Sequence, residues 1–275
     1  MDINEIVKEV TKNVIAQAGA VSVSPAGNDK SYAHYIDHTI LEPGAGKAAL
    51  KKFCDEAKQY QFASVCVNPV NVPFVSSQLK GSGVKTCSVI GFPMGATTSF
   101  VKAAETMEAV KNGAEEVDMV INIGALKDKE YDVVYNDILA VVNAARPKAI
   151  VKVIIETGVL TNEEKIAACT LAKRAGADFV KTSTGFGAGG GATVEDVRLM
   201  KQTVGDGVKV KASAGIRDRQ ASDAMLKAGA ARIGSSQGMK IIANEADVKP
   251  DDCEKCGKCR SNCPSGVVTL TKQAY

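Results

Sequence analysis

Short apolar runs alternate with longer amphipathic stretches along most of the chain. The short runs have the length and the Val, Ile and Ala content of buried strands, whereas the longer stretches repeat their apolar positions with the period of a helix. Strands are predicted at residues 35–37, 63–67, 85–90, 116–121, 149–156, 179–182, 208–212 and 231–234. Helices are predicted between them at residues 46–60, 70–79, 97–112, 128–146, 161–175, 193–203 and 217–228.

Eight strands with seven intervening helices are the number that an α/β barrel of the (β/α)₈ type requires. Several predicted helices end in a basic residue followed by Gly and Ala, which leads directly into the next strand. A doubly wound sheet is the alternative, but it usually has fewer strands, and no Gly-x-Gly-x-x-Gly loop follows the first strand. We therefore predict a (β/α)₈ TIM barrel with an extra N-terminal helix over residues 1–245. A short Cys-rich C-terminal extension follows over residues 246–275.

The composition argues against several classes of protein. Apolar residues make up 45% of the 275 positions, and the net charge of +3 is too small to indicate nucleic acid or an acidic membrane surface. No apolar run approaches the roughly 18 residues of a transmembrane helix. The first ten residues place charged and apolar side chains at helical spacing, which predicts an amphipathic helix and not a secretory signal. We expect a cytoplasmic protein that binds neither nucleic acid nor membranes.

Two lysines occupy equivalent positions on consecutive predicted strands. Lys181 ends strand six and precedes Thr-Ser-Thr-Gly, and Lys211 ends strand seven and precedes Ala-Ser-Ala-Gly. Their charges should repel and lower each other's pKa, which produces a neutral amine able to attack a carbonyl and form a Schiff base. A lone lysine here would be interpreted as a strand-end side chain extending to water. The pair instead predicts a Schiff-base enzyme.

Carboxylates also mark the carboxyl ends of the predicted strands, where the active sites of such barrels lie. Asp37 ends strand one, and Asp118 interrupts the otherwise apolar strand four. Asp118 could simply accept backbone N–H groups, but opposite two lysines general acid/base work is favoured. Small residues follow the last three strands, at 185–191, 212–217 and 233–236. Backbone N–H groups and serine hydroxyls there predict an anion site.

The eight cysteines are distributed unevenly. Four lie in core-like segments and are predicted to be ordinary buried thiols: Cys54, Cys66, Cys87 and Cys169. The other four fall within eleven residues in the C-x₂-C-x₂-C-x₃-C-P spacing of a bacterial ferredoxin: Cys253, Cys256, Cys259 and Cys263. This spacing predicts a [4Fe–4S] cluster, with two tails of a homodimer completing two clusters, or a Cys₄ zinc site within one tail. A tail without a metal is the third alternative.

Taken together, these segments resemble those of the 2-deoxyribose-5-phosphate aldolase family. The matching segments occur in the order of the family: 37–39 (DHT), 65–69 (VCVNP), 116–122 (EVDMVIN), 152–157 (KVIIET), 179–185 (FVKTSTG), 191–197 (GATVEDV) and 211–217 (KASAGIR). The resemblance covers about residues 1–245. It implies a class I aldolase that reversibly cleaves 2-deoxy-D-ribose 5-phosphate to acetaldehyde and D-glyceraldehyde 3-phosphate. No cofactor is then required for catalysis, and the partners are a small phosphorylated sugar and aldehydes.

The resemblance also assigns roles to residues. Lys181 is the Schiff-base lysine, Lys211 depresses its pKa, and Asp118 is the proton donor and acceptor, acting with an ordered water and supported by Asp37. The remaining substrate and phosphate contacts are Thr184, Gly185, Ala214, Gly215, Gly234, Ser235 and Ser236. The family commonly has two glycines where this chain has Ala214-Gly215, and Gln237 replaces a small hydroxyl residue. An alanine keeps its N–H, so we expect phosphate binding to survive if φ at Ala214 is negative.

Two other functions compete with this interpretation. A transaldolase-like enzyme should carry its lysine on another strand without a second lysine, so Lys211 argues against it. A phosphate sensor or electron carrier built on the cysteine tail has no reason to keep the costly residues Lys181, Lys211 and Asp118. The final Tyr275 is either a frayed terminus or a mobile tyrosine that assists proton transfer, as in many members of the family. We expect a homodimer or a higher homo-oligomer.

Overall fold

A computed structural model of the chain describes residues 2–16, 32–187 and 189–243. Within these ranges, no helix combines the length and the apolar character needed to cross a bilayer. The cysteine-rich segment and Tyr275 lie outside the described residues, so the predictions for them stay predictions.

Eight parallel strands close into a barrel in the order of the chain, which confirms the predicted fold. Each strand pairs with its sequence neighbours, and the first pairs with the last, which rules out a doubly wound sheet. The strands are β1 (Ile36–Thr39), β2 (Ser64–Val67), β3 (Lys85–Ile90), β4 (Glu116–Val120), β5 (Ile150–Ile154), β6 (Phe179–Lys181), β7 (Lys209–Ser213) and β8 (Arg232–Ser235).

Ten α-helices are found among the described residues: α1 (Ile3–Ala16), α2 (Lys47–Tyr60), α3 (Val72–Leu79), α4 (Ser99–Lys111), α5 (Ile123–Lys127), α6 (Tyr131–Ala145), α7 (Asn162–Arg174), α8 (Val194–Val204), α9 (Arg219–Lys227) and α10 (Gly238–Ile242). The extra helix α1 packs on the outside of the barrel against α7 and α8. The sequence did not predict α5 and α10, because five residues are too few to show a helical period.

Local sequence explains where the helices begin and end. Thr161 and Glu164 form a capping box at the start of α7, and Thr193 caps α8 by accepting a hydrogen bond from the Asp196 N–H. After α4 and α7 the predicted stop glycines, Gly113 and Gly176, have φ values of 104° and 86°. A residue with a Cβ is strained in this region, so these glycines turn the chain sharply from helix to strand.

The strands are buried on both faces, but the interior of the barrel is not purely apolar. Interiors of such barrels are normally filled by branched apolar side chains. Here the fully buried residues include Asp37, Asp118, Lys152 and Lys211, each with 0% of its surface exposed. Buried charges require partners, and these lysines and carboxylates are in mutual contact.

The loops that follow β5 and β6 touch each other at two glycines. A Cβ placed on Gly158 would lie 2.0 Å from the Gly189 carbonyl oxygen, and one placed on Gly189 would lie 2.3 Å from the Gly158 carbonyl carbon. No side chain fits between these backbones. The pair therefore fixes the Gly-rich loop after β6 against the loop after β5.

Gly158→Ala should force these two loops apart. Overpacking of this kind costs typically about 1–3 kcal/mol, so the variant should unfold at lower denaturant concentration than the parent. Gly46→Ala is the matched control, because nothing lies within 4 Å of a Cβ at Gly46. Chemical denaturation measures both changes, and equal stability of the two variants would show that the loops separate without cost.

Candidate active site

A cavity of about 600 Å³ opens at the carboxyl-terminal end of the barrel. It is lined by Thr39, Leu41, Glu42, Lys181, Thr184, Gly185, Phe186, Ser213, Ala214, Gly215, Ile216, Arg217, Gly234, Ser235, Ser236, Gln237 and Lys240. The lining thus combines Lys181 with seven of the eight residues predicted to contact substrate or phosphate, and the eighth is Asp37. Asp37 lies in the barrel interior with 0% of its surface exposed.

Asp118 binds three lysines with its two carboxylate oxygens. Lys181 and Lys211 donate to the same oxygen, Oδ2, from 2.8 and 2.7 Å. Lys152 donates to Oδ1 from 2.9 Å. The structure therefore brings together the three residues predicted to be catalytic and adds Lys152 to them.

Three of the predicted residues, Lys181, Lys211 and Asp37, lie at different depths in their strands. Lys181 is the last residue of β6, as expected. The prediction that Asp37 and Lys211 end their strands was wrong, because β1 and β7 each continue for two residues beyond them. These two side chains consequently lie below the cavity, whereas Lys181 reaches it.

A second group of charges surrounds Asp37 beneath Asp118. Lys211 Nζ lies 2.5 Å from Asp37 Oδ2, an ion pair without the alignment of a hydrogen bond. Arg232 Nη1 donates to Asp37 Oδ1 from 2.6 Å, and Lys152 Nζ lies 2.5 Å from Glu116 Oε2. Asp37 therefore anchors Lys211 from below while Asp118 holds it from above.

These contacts shift the pKa values of the buried groups. Burial alone would raise the pKa of Asp118, but the charges of Lys152, Lys181 and Lys211 outweigh it and hold that pKa well below its usual range. Burial alone would lower the pKa of Lys211, but the charges of Asp118 and Asp37 outweigh it and raise the pKa. The expectation that the two lysines lower each other's pKa is therefore wrong for Lys211, because carboxylates lie beside it.

The cluster contains one more basic group than acidic groups. Among the described residues in mutual contact, the acidic members are Asp37, Glu116 and Asp118, and the basic members are Lys152, Lys181, Lys211 and Arg232. With one lysine uncharged, the cluster would be electrically neutral. Lys181 is the only one of these four basic residues that lines the cavity.

The predicted anion site forms a further part of the cavity lining. The Ser235 hydroxyl donates to the Ile216 carbonyl from 2.6 Å, so its proton is already engaged. Ser236 is exposed, so of these two serines it is the one whose hydroxyl can donate to a ligand. Arg217 and Lys240 add positive charge to the same lining. This end of the cavity therefore has the small residues, the hydroxyl and the cations that favour a phosphate group.

Ala214 does not have the negative φ on which the sequence analysis relied. Its φ is 71°, and that of the following Gly215 is 79°. The left-handed conformation costs an L-residue about 1–2 kcal/mol, which the surrounding structure offsets. One such constraint is Gly191, whose missing side chain allows the Ala214 carbonyl to approach closely. The Ala214 backbone thus keeps the turn that a glycine would adopt, at the cost of strain.

Glu156 connects the β5 loop to the predicted substrate contact Thr184. Glu156 is buried with a φ of 58°, and its Oε2 accepts the Thr184 hydroxyl at 2.5 Å and the Thr184 N–H at 3.1 Å. The Phe186 N–H donates in turn to the Thr184 hydroxyl. Glu156 therefore fixes the start of the Gly-rich loop at the cavity edge.

Several members of the site were missed by the sequence analysis. In the charge cluster these are Glu116, Lys152 and Arg232; in the cavity lining they are Thr39, Phe186, Arg217 and Lys240. A signal was present for Glu116, which stands two residues before Asp118 and therefore on the same face of β4. Lys152 is the register partner of Asp118 on β5, which required knowledge of the strand pairing.

Comparisons with known proteins agree with this geometry. Residues 32–244 match DeoC, the DeoC/LacD family aldolase. A deoxyribose-phosphate aldolase from Clostridium tetani (strain Massachusetts / E88) is 63% identical over 208 residues, which are 76% of this chain and 96% of that protein.

Two solved structures are similar over most of their length. A provisionally assigned deoxyribose-phosphate aldolase from Coccidioides immitis is 41% identical with a TM-score of 0.81, covering 88% of this chain and 96% of that one. A tetrameric deoxyribose phosphate aldolase from Aeropyrum pernix is 31% identical with a TM-score of 0.72, covering 85% and 95%. Sequence, fold and site thus agree, and the chain belongs to the DeoC/LacD family of aldolases.

Proposed function

We propose that this chain is a deoxyribose-phosphate aldolase of class I, which reversibly cleaves 2-deoxy-D-ribose 5-phosphate to acetaldehyde and D-glyceraldehyde 3-phosphate. The observation that carries this proposal is the position of Lys181. Its amine lies at the cavity wall, 2.8 Å from a carboxylate oxygen that also binds a second lysine. The 63% identity to the Clostridium tetani aldolase supports the choice of substrate.

Lys181 acts as the nucleophile in this proposal. Its uncharged amine adds to the C1 aldehyde of the open-chain sugar, and loss of water leaves a protonated iminium. The iminium accepts the electron pair of the C2–C3 bond as the C3 hydroxyl loses its proton, which releases glyceraldehyde 3-phosphate and leaves an enamine. Protonation of the enamine at C2 and addition of water then release acetaldehyde and regenerate Lys181.

Asp118 and Lys211 support these steps by charge and by proton transfer. Asp118 is ionised, since its pKa is held well below the usual range, and it accepts protons or stabilises the iminium beside it. Lys211 keeps its charge at neutral pH because its pKa is raised. This permanent cation binds the same Asp118 oxygen as Lys181, so one carboxylate holds both amines.

The phosphate group is proposed to bind at the predicted anion site of the cavity. Gly185, Ala214, Gly215 and Gly234 are small enough to bring backbone N–H groups close to phosphate oxygens. Ser236, Arg217 and Lys240 add a hydroxyl and two charges. Binding energy from this remote group positions the C1 aldehyde next to Lys181.

The assembly state and the cellular compartment of the protein are also proposed. We propose a homo-oligomer, because Phe100 and Met94 expose 80% and 73% of their surface near the start of α4 and the Aeropyrum pernix relative is tetrameric. We propose the cytoplasm as the compartment, where the four described cysteines, which are free thiols, would stay reduced. Light scattering measures the assembly state directly.

The C-terminal cysteines are proposed to bind a metal that catalysis does not require. The support is the spacing of Cys253, Cys256, Cys259 and Cys263, which suits a [4Fe–4S] cluster or a tetrahedral zinc ion. The residues assigned to catalysis all belong to the barrel. The metal would therefore affect the reaction only through the segment that leads to Tyr275.

Lys181→Ala should abolish cleavage, because no other described basic residue of the cluster lines the cavity. Borohydride with acetaldehyde should place an ethyl group on Lys181 of the parent protein, as shown by peptide mass mapping. Lys201→Ala is the matched control, since Lys201 contacts Asp206 and the Gly205 carbonyl at the end of α8. An ethyl group on Lys211 with Lys181 unmodified would contradict the assignment.

Ser236→Asp should repel the phosphate group, because like charges a few ångströms apart cost about 1–4 kcal/mol. We expect kcat/KM for 2-deoxyribose 5-phosphate to fall by at least about tenfold, with a much smaller change for unphosphorylated 2-deoxyribose. Ser236→Asn is the control of similar size without charge. Equal losses on the two substrates would place the phosphate elsewhere.

Truncation after Glu245 should remove any metal bound by the tail and leave trapping at Lys181 intact. Iron with acid-labile sulfide in the anaerobically purified full chain would identify the cluster, and stoichiometric zinc without sulfide would identify the zinc site. Tyr275→Phe separates the two parts of the tail, since a slower reaction with the metal retained assigns the effect to the hydroxyl. A metal-free full chain, as active as the truncated one, would refute a role for the tail.

A further inference from the structure

Cys66 and Cys87 form a buried pair directly beneath the cavity. They are register partners on the neighbouring strands β2 and β3, and neither exposes any surface. Paired residues on adjacent strands have Cα atoms about 4.8 Å apart, within the range that a disulfide spans. The two sulfur atoms and a carboxylate oxygen of Asp118 all lie within 4.8 Å of one another.

The charges around the pair favour thiolate chemistry over metal binding. Cys87 Sγ lies 3.5 Å from Lys152 Nζ and 3.2 Å from Asp118 Oδ1. The Cys87 S–H donates to Asp118 Oδ1, and interaction with the Cys87 thiol lowers the pKa of Cys66. The lysines around Asp118 would repel a divalent cation, whereas Lys211 and Lys181 favour a thiolate at Cys66 against burial and the opposing charge of Asp118.

A small oxidant has a short route to the pair. Leu41 belongs to the same apolar cluster as Cys66 and Cys87 and also lines the cavity, so this cluster extends from the sulfur atoms to the open volume. Hydrogen peroxide is close to water in size. A displacement of Leu41 would open a path of this size toward Cys66.

We propose that Cys66 and Cys87 are a redox modification site, which hydrogen peroxide converts to a disulfide that reversibly inactivates the enzyme. The inactivation rests on the proposed aldolase function, whereas the disulfide itself does not. It goes beyond that function because the Schiff-base reaction uses neither thiol.

The reaction takes place in two balanced steps. The Cys66 thiolate attacks one peroxide oxygen, so that an S–O bond forms and the O–O bond breaks, and the departing hydroxide takes up a proton to become water. The Cys87 sulfur then attacks the resulting sulfenic acid, an S–S bond forms, the S–O bond breaks, and a second water leaves. The two thiols lose two electrons and the peroxide gains them.

The disulfide affects catalysis through Asp118. Its formation removes the Cys87 S–H that faces Asp118 Oδ1 and draws both sulfur atoms together. The carboxylate loses a donor on the side opposite Lys181 and Lys211. Placement of the acid/base group is worth about 10²–10⁴-fold in rate, so a displaced Asp118 slows turnover severely.

The test treats the full-length protein with hydrogen peroxide and follows two readouts. Peptide mapping after alkylation of the remaining thiols should find a linked Cys66–Cys87 peptide. Cleavage activity should fall in parallel by at least about tenfold and return with dithiothreitol. Mapping keeps the test independent of the proposed function, since a linked peptide in a protein without aldolase activity would contradict only the latter.

Variants assign the effect to the pair. Cys87→Ala, compared with its own untreated activity, should lose little activity under the same peroxide dose. Cys169→Ala is the matched control, because Cys169 is also buried and free but lies in α7, and this variant should be inactivated like the parent. The proposal is wrong if no linked peptide forms in the parent, if dithiothreitol does not restore activity, or if Cys87→Ala is inactivated as fast as the parent.

Discussion

The structure depends on the way in which one buried carboxylate is shared by three lysines. Asp118 could not stay ionised in a sealed barrel without Lys152, Lys181 and Lys211, and these lysines could not stay buried without it. The remaining cluster members follow from the same requirement. One carboxylate cannot neutralise three lysines, so Asp37 and Glu116 supply further negative charge beside them. Arg232 forms ion pairs with both Asp37 and Glu116. The Lys181 amine at the rim therefore requires charged residues deep in the core.

The same requirement determines which positions in the barrel tolerate the loss of a charged side chain. Removal of one partner from a buried ion pair costs about 3–5 kcal/mol, because the other charge is left uncompensated. Lys211 and Lys152 expose 0% of their surface, so loss of any of their carboxylate partners incurs this cost. Lys181 contacts the cluster through Asp118 and otherwise faces the cavity. Lys181, the proposed nucleophile, is thus the member that can exchange its proton for a carbon substituent with the least disturbance of the core.

The sequence predicted the members of the charge cluster that interrupt an apolar strand pattern. Polar residues in apolar runs identified Lys181, Lys211, Asp118 and Asp37, and alternating strand and helix periods predicted the barrel. Lys152 and Arg232 could not be assigned, since their roles come from strand register and from contacts between residues far apart in sequence. The pKa of Lys211 was predicted in the wrong direction for the same reason, because the carboxylates beside it come from other strands. The positive φ of Ala214 depends on close packing against Gly191, which no local pattern shows.

Charge balance explains how the proposed reaction can proceed inside this cluster. Loss of the Lys181 proton during the proposed reaction would leave three acidic and three basic groups in the cluster, with no net charge. Formation of the iminium restores a positive charge at the same nitrogen, 2.8 Å from Asp118 in the free enzyme. The carboxylate that holds a lysine ammonium is therefore already positioned to stabilise the iminium, and little reorganisation is needed when the charge appears. In the proposed mechanism, the ion pair that allows the fold to bury its lysines also lowers the barrier of the chemical step.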